Sequence, residues 1–180
     1  MFEPASWISR SWTFGLGVDL FPNVLERLRG TPARAEELVR SVPAGVLSKR
    51  PTGAWSAQEH LGHLVDLGEL DQTRLTEFCR LAEILSPGDV TNRATELARH
   101  NSASIMGILQ RLRAGRLELV RRLEGIENAT VQHRSIHPRL QQQMNVVDWM
   151  FFVAEHDDHH IARARHAATV LTEGHRNQVL

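Results

Sequence analysis

Apolar residues in this chain recur at intervals of three and four, the period of an α-helix that turns one face to a core, and they do so in four stretches. In the first, Val24, Leu25, Leu28, Ala35, Leu38, Val39 and Val42 keep the spacing across Leu20 to Val42, interrupted at Gly30-Thr31-Pro32. Thr31 can cap a new helix with Pro32 in its first turn, or the proline can kink one long helix. Pro43, Gly45, Pro51 and Gly53 mark Val42 to Trp55 as a loop. Ser56-Ala57-Gln58-Glu59 then has the spacing of a capping box, the serine oxygen placed for the Glu59 amide and the Glu59 carboxylate for the Ser56 amide. A second helix is therefore predicted from Ala57 through Leu61, Leu64, Leu67, Leu70, Leu75 and Phe78 to about Leu85, stopped by Ser86-Pro87-Gly88-Asp89. A third spans Ala94 to Leu123, its continuity weakened by Gly107 and Gly115. Gln132 to Gln143 is polar with a break at His137-Pro138, and a fourth helix covers Val146 to Leu171, closed by Gly174. No stretch alternates with the period of a strand, so the expectation is an all-α four-helix bundle.

The length of 180 residues, 42% hydrophobic and 23% charged, suits one domain with a real core. We read residues 1–19 as an N-terminal extension, 20–174 as the bundle and 175–180 as a tail. Basic and acidic residues both number 21, so no global field draws in nucleic acid or an anionic membrane. The start Met1-Phe2-Glu3-Pro4 lacks the basic and apolar run of a signal peptide, no apolar stretch reaches bilayer length, and the single cysteine, Cys79, has no internal partner for a disulfide. A cytoplasmic protein is expected.

Chemistry concentrates in Ala154 to Arg163, which holds three histidines and three acids in ten residues. At about 100° per residue, His156 and His160 lie about 40° apart on one face, the spacing at which two imidazoles can grip one ion. His159 falls on a neighbouring flank. The alternative is a polar helix face that happens to be rich in histidine. A metal would need a third ligand from elsewhere, and the second helix offers His60 and His63 among its leucines. His63 is preferred, because His60 is placed to pack on Trp55 as a hydrophobic staple.

Several neighbours have two readings. Glu59 shares the His63 stripe, but the capping box accounts for it. Asp66 and Asp157 can orient a ligand imidazole or be solvated acids. Trp149 and Phe152 share the face of His156 and can wall a pocket or simply pack the core. Cys79 is expected as a core thiol. There is no His-Glu-x-x-His, no Gly-rich phosphate loop and no carboxylate set for a di-iron centre.

Trp55-Ser56-x-x-Glu59-x-x-x-His63-Leu64, with His156-x-x-x-His160 beginning 93 residues after His63, resembles the signature of the DinB/YfiT-like superfamily of metal-binding four-helix bundles. The likeness extends from about Leu20 to about Leu171. It implies that His63, His156 and His160 ligate one divalent ion, nickel or zinc, with water completing the shell, and that the protein is a homodimer. Arg163 stands where the family more often has glutamine; it favours an anionic substrate group or pairs with an acid of the bundle.

Three neutral imidazoles leave the charge of an ion almost uncompensated, so it can lower the pKa of a bound water to about 7 or hold a thiol as thiolate. The first makes a metal-dependent hydrolase. The second makes a thiol S-transferase or isomerase using a low-molecular-weight thiol such as bacillithiol or mycothiol on a small-molecule substrate, and we favour it because no acid-base residue is evident. A non-catalytic stress-response protein, with the ion tying two helices together, is the third reading. An open cavity above the ion would mark an enzyme, whereas a fourth protein ligand, His60 or Asp157, would mark a structural site.

Overall fold

The computed structural model describes residues 3–176, with side chains as far as residue 173. The first periodic stretch forms α1 (Phe21–Arg29) and α2 (Thr31–Ser41) end to end. Gly30 between them stays in the right-handed region at φ −77°; its N–H reaches the Glu26 carbonyl at 3.0 Å and its own carbonyl accepts from the Arg34 amide at 3.1 Å. The rod is kinked, not restarted. Thr31 makes no cap and donates its hydroxyl to Asp157 at 2.8 Å.

A single turn, α3 (Ala44–Leu47), interrupts the expected loop. The second rod starts with α4 (Ala57–Asp66), where both halves of the Ser56 capping box are made: Ser56 Oγ accepts from the Glu59 amide at 3.0 Å and Glu59 Oε2 from the Ser56 amide at 2.9 Å. After a bend at Leu67 it continues as α5 (Gly68–Cys79). It ends six residues short of the predicted Leu85 because Leu81 takes a left-handed φ of 55° and the chain turns extended. Ile136 N then donates to Glu83 O at 2.7 Å and Leu85 N to Ile136 O at 3.1 Å, so Leu85 keeps helical spacing but belongs to a strand-like pairing. Cys79, in the last turn, is exposed and not the core thiol expected.

The third pattern is divided. A short α6 (Arg93–Leu97) and a 3-10 turn at His100–Ser102 precede α7 (Ile105–Glu124), and Arg99 at φ 50° separates the first two. α7 runs unbroken through Gly107 and Gly115. After α8 (Asn128–Gln132), the polar stretch holds strands that periodicity did not reveal: β1 (Ser135–His137) pairs antiparallel with β2 (Gln142–Met144). The final helix, α9 (Val146–Arg176), passes through Gly174, which therefore does not close it; of the predicted tail, residues 177–180 lie outside the described residues.

Each kinked rod packs against both α7 and α9. The core falls into two apolar clusters, one around Leu28, Phe78, Leu119, Leu123 and Trp149, the other around Leu38, Leu61, Leu64, Ile108 and Leu112. A buried polar layer runs through the same helices. There Arg116 of α7 donates to Asp71 of α5 and to Asp157 of α9, all three nearly inaccessible to solvent. Burial works against the Arg116 charge, but the fields of Asp157 and Asp71 outweigh it and raise its pKa; burial also raises Asp71.

The segment before α1 lies along α9. The amides of Gly15 and Leu16 both donate to Asp148 Oδ1 at 2.8 Å, and Trp7, Trp12 and Phe14 pack on Phe152. No helix among the described residues is long and apolar enough to cross a membrane.

Candidate metal centre

The capping box fixes the start of α4 and so the direction of its second turn, while α9 presents residues four apart to it. The result brings His63, His156 and His160 together, all buried, with one ring nitrogen from each lying within 4.8 Å of the others. The closest pair are the Nε2 atoms of His156 and His160, 3.1 Å apart. Nitrogens bound tetrahedrally at 2.0–2.1 Å from an ion would lie about 3.3 Å apart, so this pair already has nearly the separation a shared ion requires.

Hydrogen bonds fix which nitrogen His63 offers. Thr95 Oγ1 donates to Asp66 Oδ2 at 2.8 Å, so the same hydroxyl must accept from His63 Nδ1 at 2.9 Å, which leaves the His63 Nε2 lone pair free. Asp66 is itself held by His100 Nε2 at 2.9 Å. Burial would raise the Asp66 pKa, but the hydrogen bonds from His100 and Thr95 prevail and keep it low. Asp66 thus reaches the His63 imidazole through one hydroxyl. The turn carrying His100 can come this close only because residue 62 is glycine: a Cβ there would stand 2.3 Å from the His100 ring.

On the other side, His60 Nδ1 lies 3.0 Å from His160 Nδ1, the nitrogen turned away from His156. His60 also meets Trp55 at 5.4 Å between centroids, as a staple should. Trp55 is anchored by its Nε1, which donates to Glu96 Oε1 at 2.7 Å.

The electrostatics suit a cation. Burial, partly offset by the field of Asp66, pushes His63 down to about 4. Burial first and the neighbouring imidazoles next hold His156 and His160 well below the usual histidine range. Burial followed by the field of His159 takes His60 to about 3, and burial followed by that of Arg163 takes His159 to about 4. Each of these shifts favours the neutral ring, the form in which an imidazole can ligate, and the donor set of His63, His156 and His160 fits a divalent ion of borderline softness.

The remaining expectations divide. Among the described residues no fourth histidine, cysteine, aspartate or glutamate joins the cluster. Asp157 orients no imidazole: its carboxylate is spent on Thr31 and Arg116 in the polar layer. Trp149 is not a pocket wall but packs at a tilt against Phe78, 5.7 Å between centroids, in the core two turns below His156. Phe152 and His159 do line a cavity of about 310 Å³ that opens beside the three histidines, as does Arg163, which has no carboxylate partner among the described residues. Glu59 is bound by the cap and by Arg50, whose Nε lies 2.8 Å from Oε2. Burial would raise its pKa, but Arg50 and the cap lower it on balance, so it is no free base.

Several residues of the site were not anticipated. Trp7 lines the cavity and meets His156 at 4.9 Å, although the segment bearing it has no periodicity to signal a contact. Thr95, His100, His137 and Arg139 come from turns and short elements whose long-range placement leaves no local pattern, and Arg74, although on α5, is a polar position that helical periodicity does not single out. The His137-Pro138 break marked a turn without marking a wall.

No curated protein matches the sequence. Among solved structures, the chain resembles YfiT from Bacillus subtilis, described as a probable metal-dependent hydrolase with an unusual four-helix bundle topology, with a TM-score of 0.76 over 91% of this chain and 94% of that one at 17% identity. A family model covers residues 27–164, a span that includes all three clustered histidines, and by that match the chain belongs to the DinB superfamily.

Proposed function

We propose that His63, His156 and His160 hold one divalent ion, nickel or zinc, and that the protein is an enzyme acting on a small molecule at the open side of that ion. The observation that carries this reading is the cavity of about 310 Å³ beside a three-histidine set that lacks a fourth protein ligand among the described residues. A structural ion is closed off by four ligands, whereas a catalytic one keeps a position exchangeable. When bound, an ion held by neutral imidazoles supplies Lewis acidity and lowers the pKa of a water or thiol at that position.

The protein's own residues do the rest. Asp66 and Thr95 keep the proton on His63 Nδ1 and hold its ring in place, and His60 does the same service for His160 from the far side. Trp7, Phe152 and Val153 wall the cavity and limit water around the reacting atoms.

Of the two reactions, transfer of a low-molecular-weight thiol to an electrophile is favoured by the acids of the cavity wall. Asp71 is paired with Arg116, and Asp89 accepts from Thr91 and from the Arg93 amide, so neither carboxylate is free to act as a base. A thiolate needs no such base. Metal-dependent hydrolysis is the second reading, favoured by the likeness to YfiT.

The test is metal content by mass spectrometry on untagged protein, followed by parallel assays of the loaded enzyme. Chlorodinitrobenzene with cysteine, bacillithiol or mycothiol reads S-transfer, and p-nitrophenyl acetate reads hydrolysis. About one ion per chain, and turnover lost with the ion in His156→Ala, is expected. An ion that stays bound while every assay remains silent would favour the non-catalytic role.

A further inference from the structure

The cavity has more cationic side chains than its own acids can use. Four arginines line it, Arg74, Arg116, Arg139 and Arg163, against two aspartates, Asp71 and Asp89. Arg116 is committed to Asp71 and Asp157. Arg74 donates through Nε and Nη2 to the Ser86 carbonyl, at 3.0 and 2.8 Å. Arg139 and Arg163 make no hydrogen bond or ion pair among the described residues, and Nη2 of Arg139 is buried without an acceptor. A buried guanidinium nitrogen left unsatisfied costs free energy that a bound acceptor restores.

The two free arginines come to the histidine cluster from different elements. Arg139 sits in the turn between β1 and β2 and its field reaches His137 and His156; Arg163 is on α9, one turn past His160, and its field reaches His60 and His159. Burial lowers the pKa of Arg139, so its charge is held at a cost that an anion would relieve. The other walls are largely apolar, among them Leu67, Leu70, Phe152 and Val153. A planar guanidinium pairs best with a carboxylate, two parallel N–H···O bonds at once.

We propose that the cavity contains a carboxylate subsite formed by Arg139 and assisted by Arg163, so that the substrate is a small organic acid whose apolar body lies on Phe152 and whose reacting group faces His156 and His160. The inference rests on the cavity being a substrate site, as proposed above, but not on the identity of the reaction or on the ion.

Ligand-observed NMR titration tests it with phenylacetate and its neutral isostere phenylacetamide, using the full chain stripped of metal and the same chain loaded with zinc. The acid is expected to bind at least tenfold more tightly than the amide in both forms. Arg139→Gln should erase the preference, Arg163→Gln should reduce it, and Arg139→Lys should restore part of it, with circular dichroism and melting temperature confirming that each variant is folded. Equal binding of acid and amide, or no binding of the acid, overturns the subsite even if the enzyme proves active. So does acid binding that vanishes when the metal is stripped and ignores Arg139→Gln, since the carboxylate would then be on the ion. A preserved preference in a protein that takes up no metal would sustain the subsite while the metal reaction failed.

Discussion

Replacing Arg116 by methionine removes the guanidinium that Asp71 and Asp157 share. Its Nη1 donates to Asp71 at 2.6 Å, while Nη2 and Nε donate to the two oxygens of Asp157 at 2.6 and 2.9 Å, and the three side chains are 3%, 8% and 0% exposed. Taking one partner from a buried ion pair costs about 3–5 kcal/mol, because the charge left behind is neither solvated nor compensated. For a chain of this size about 1 kcal/mol moves the melting temperature by roughly 2–4 °C, so a fall of about 6–20 °C is expected. The pH dependence gives an independent check. Burial already raises Asp71 above its unfolded value, and loss of Arg116 raises it further. A carboxyl whose folded pKa is raised stabilises fully below its unfolded pKa and loses that contribution as pH climbs through the folded one. The gap between variant and wild type should therefore narrow from pH 8 to pH 5 in calorimetric melts. Adding Asp71→Asn and Asp157→Asn should recover part of the loss, since no buried charge then remains. A fall under about 2 °C at pH 7, or a gap that does not narrow in acid, would refute the reasoning.

Thr95→Val should leave the fold intact yet weaken metal affinity by about 10–100-fold in a competition titration with a chelating dye, because His63 loses the acceptor that fixes its tautomer. Gly62→Ala should displace the His100 ring from Asp66 and lower stability by about 1–3 kcal/mol, read by urea denaturation; an unchanged midpoint would show that the ring has room to yield. In metal-free protein, His63 and His159 near 4 and His60 and His137 near 3 lie below their unfolded values. Their neutral burial stabilises above about pH 6.5, and that contribution drains away toward pH 4. Melting temperatures across this range should fall steeply, and a flat profile would contradict buried neutral rings.

What was legible in the sequence was whatever folding decides over a few residues. Ser56 and Glu59 announce their helix because a capping box closes within one turn, and His156 and His160 share a face because four residues make about one turn of helix. The chain's later choices were hidden where a long-range partner overrides local spacing. Leu81 and Leu85 continue the helical pattern of α5, yet Ile136 claims the backbone there. Strands of three residues cannot display alternation, so the hairpin that delivers Arg139 looked like a polar loop. Trp149 shares a helix face with His156 but not a depth in the bundle, which periodicity does not encode. Asp157 neighbours His156 in sequence, and its partner proved to be an arginine 41 positions away.

The placement of the tryptophans gives the centre a built-in optical reporter. Of the four in the chain, Trp7 lies 4.9 Å from the His156 ring and Trp55 lies 5.2 Å from that of His63, so two indoles flank the cluster while Trp149 sits in the core against Phe78. An open-shell ion such as nickel should quench emission from those two indoles, whereas closed-shell zinc, with its filled d shell, should leave their intensity largely intact. Intrinsic fluorescence would thus distinguish the two metals during a single titration, without any label.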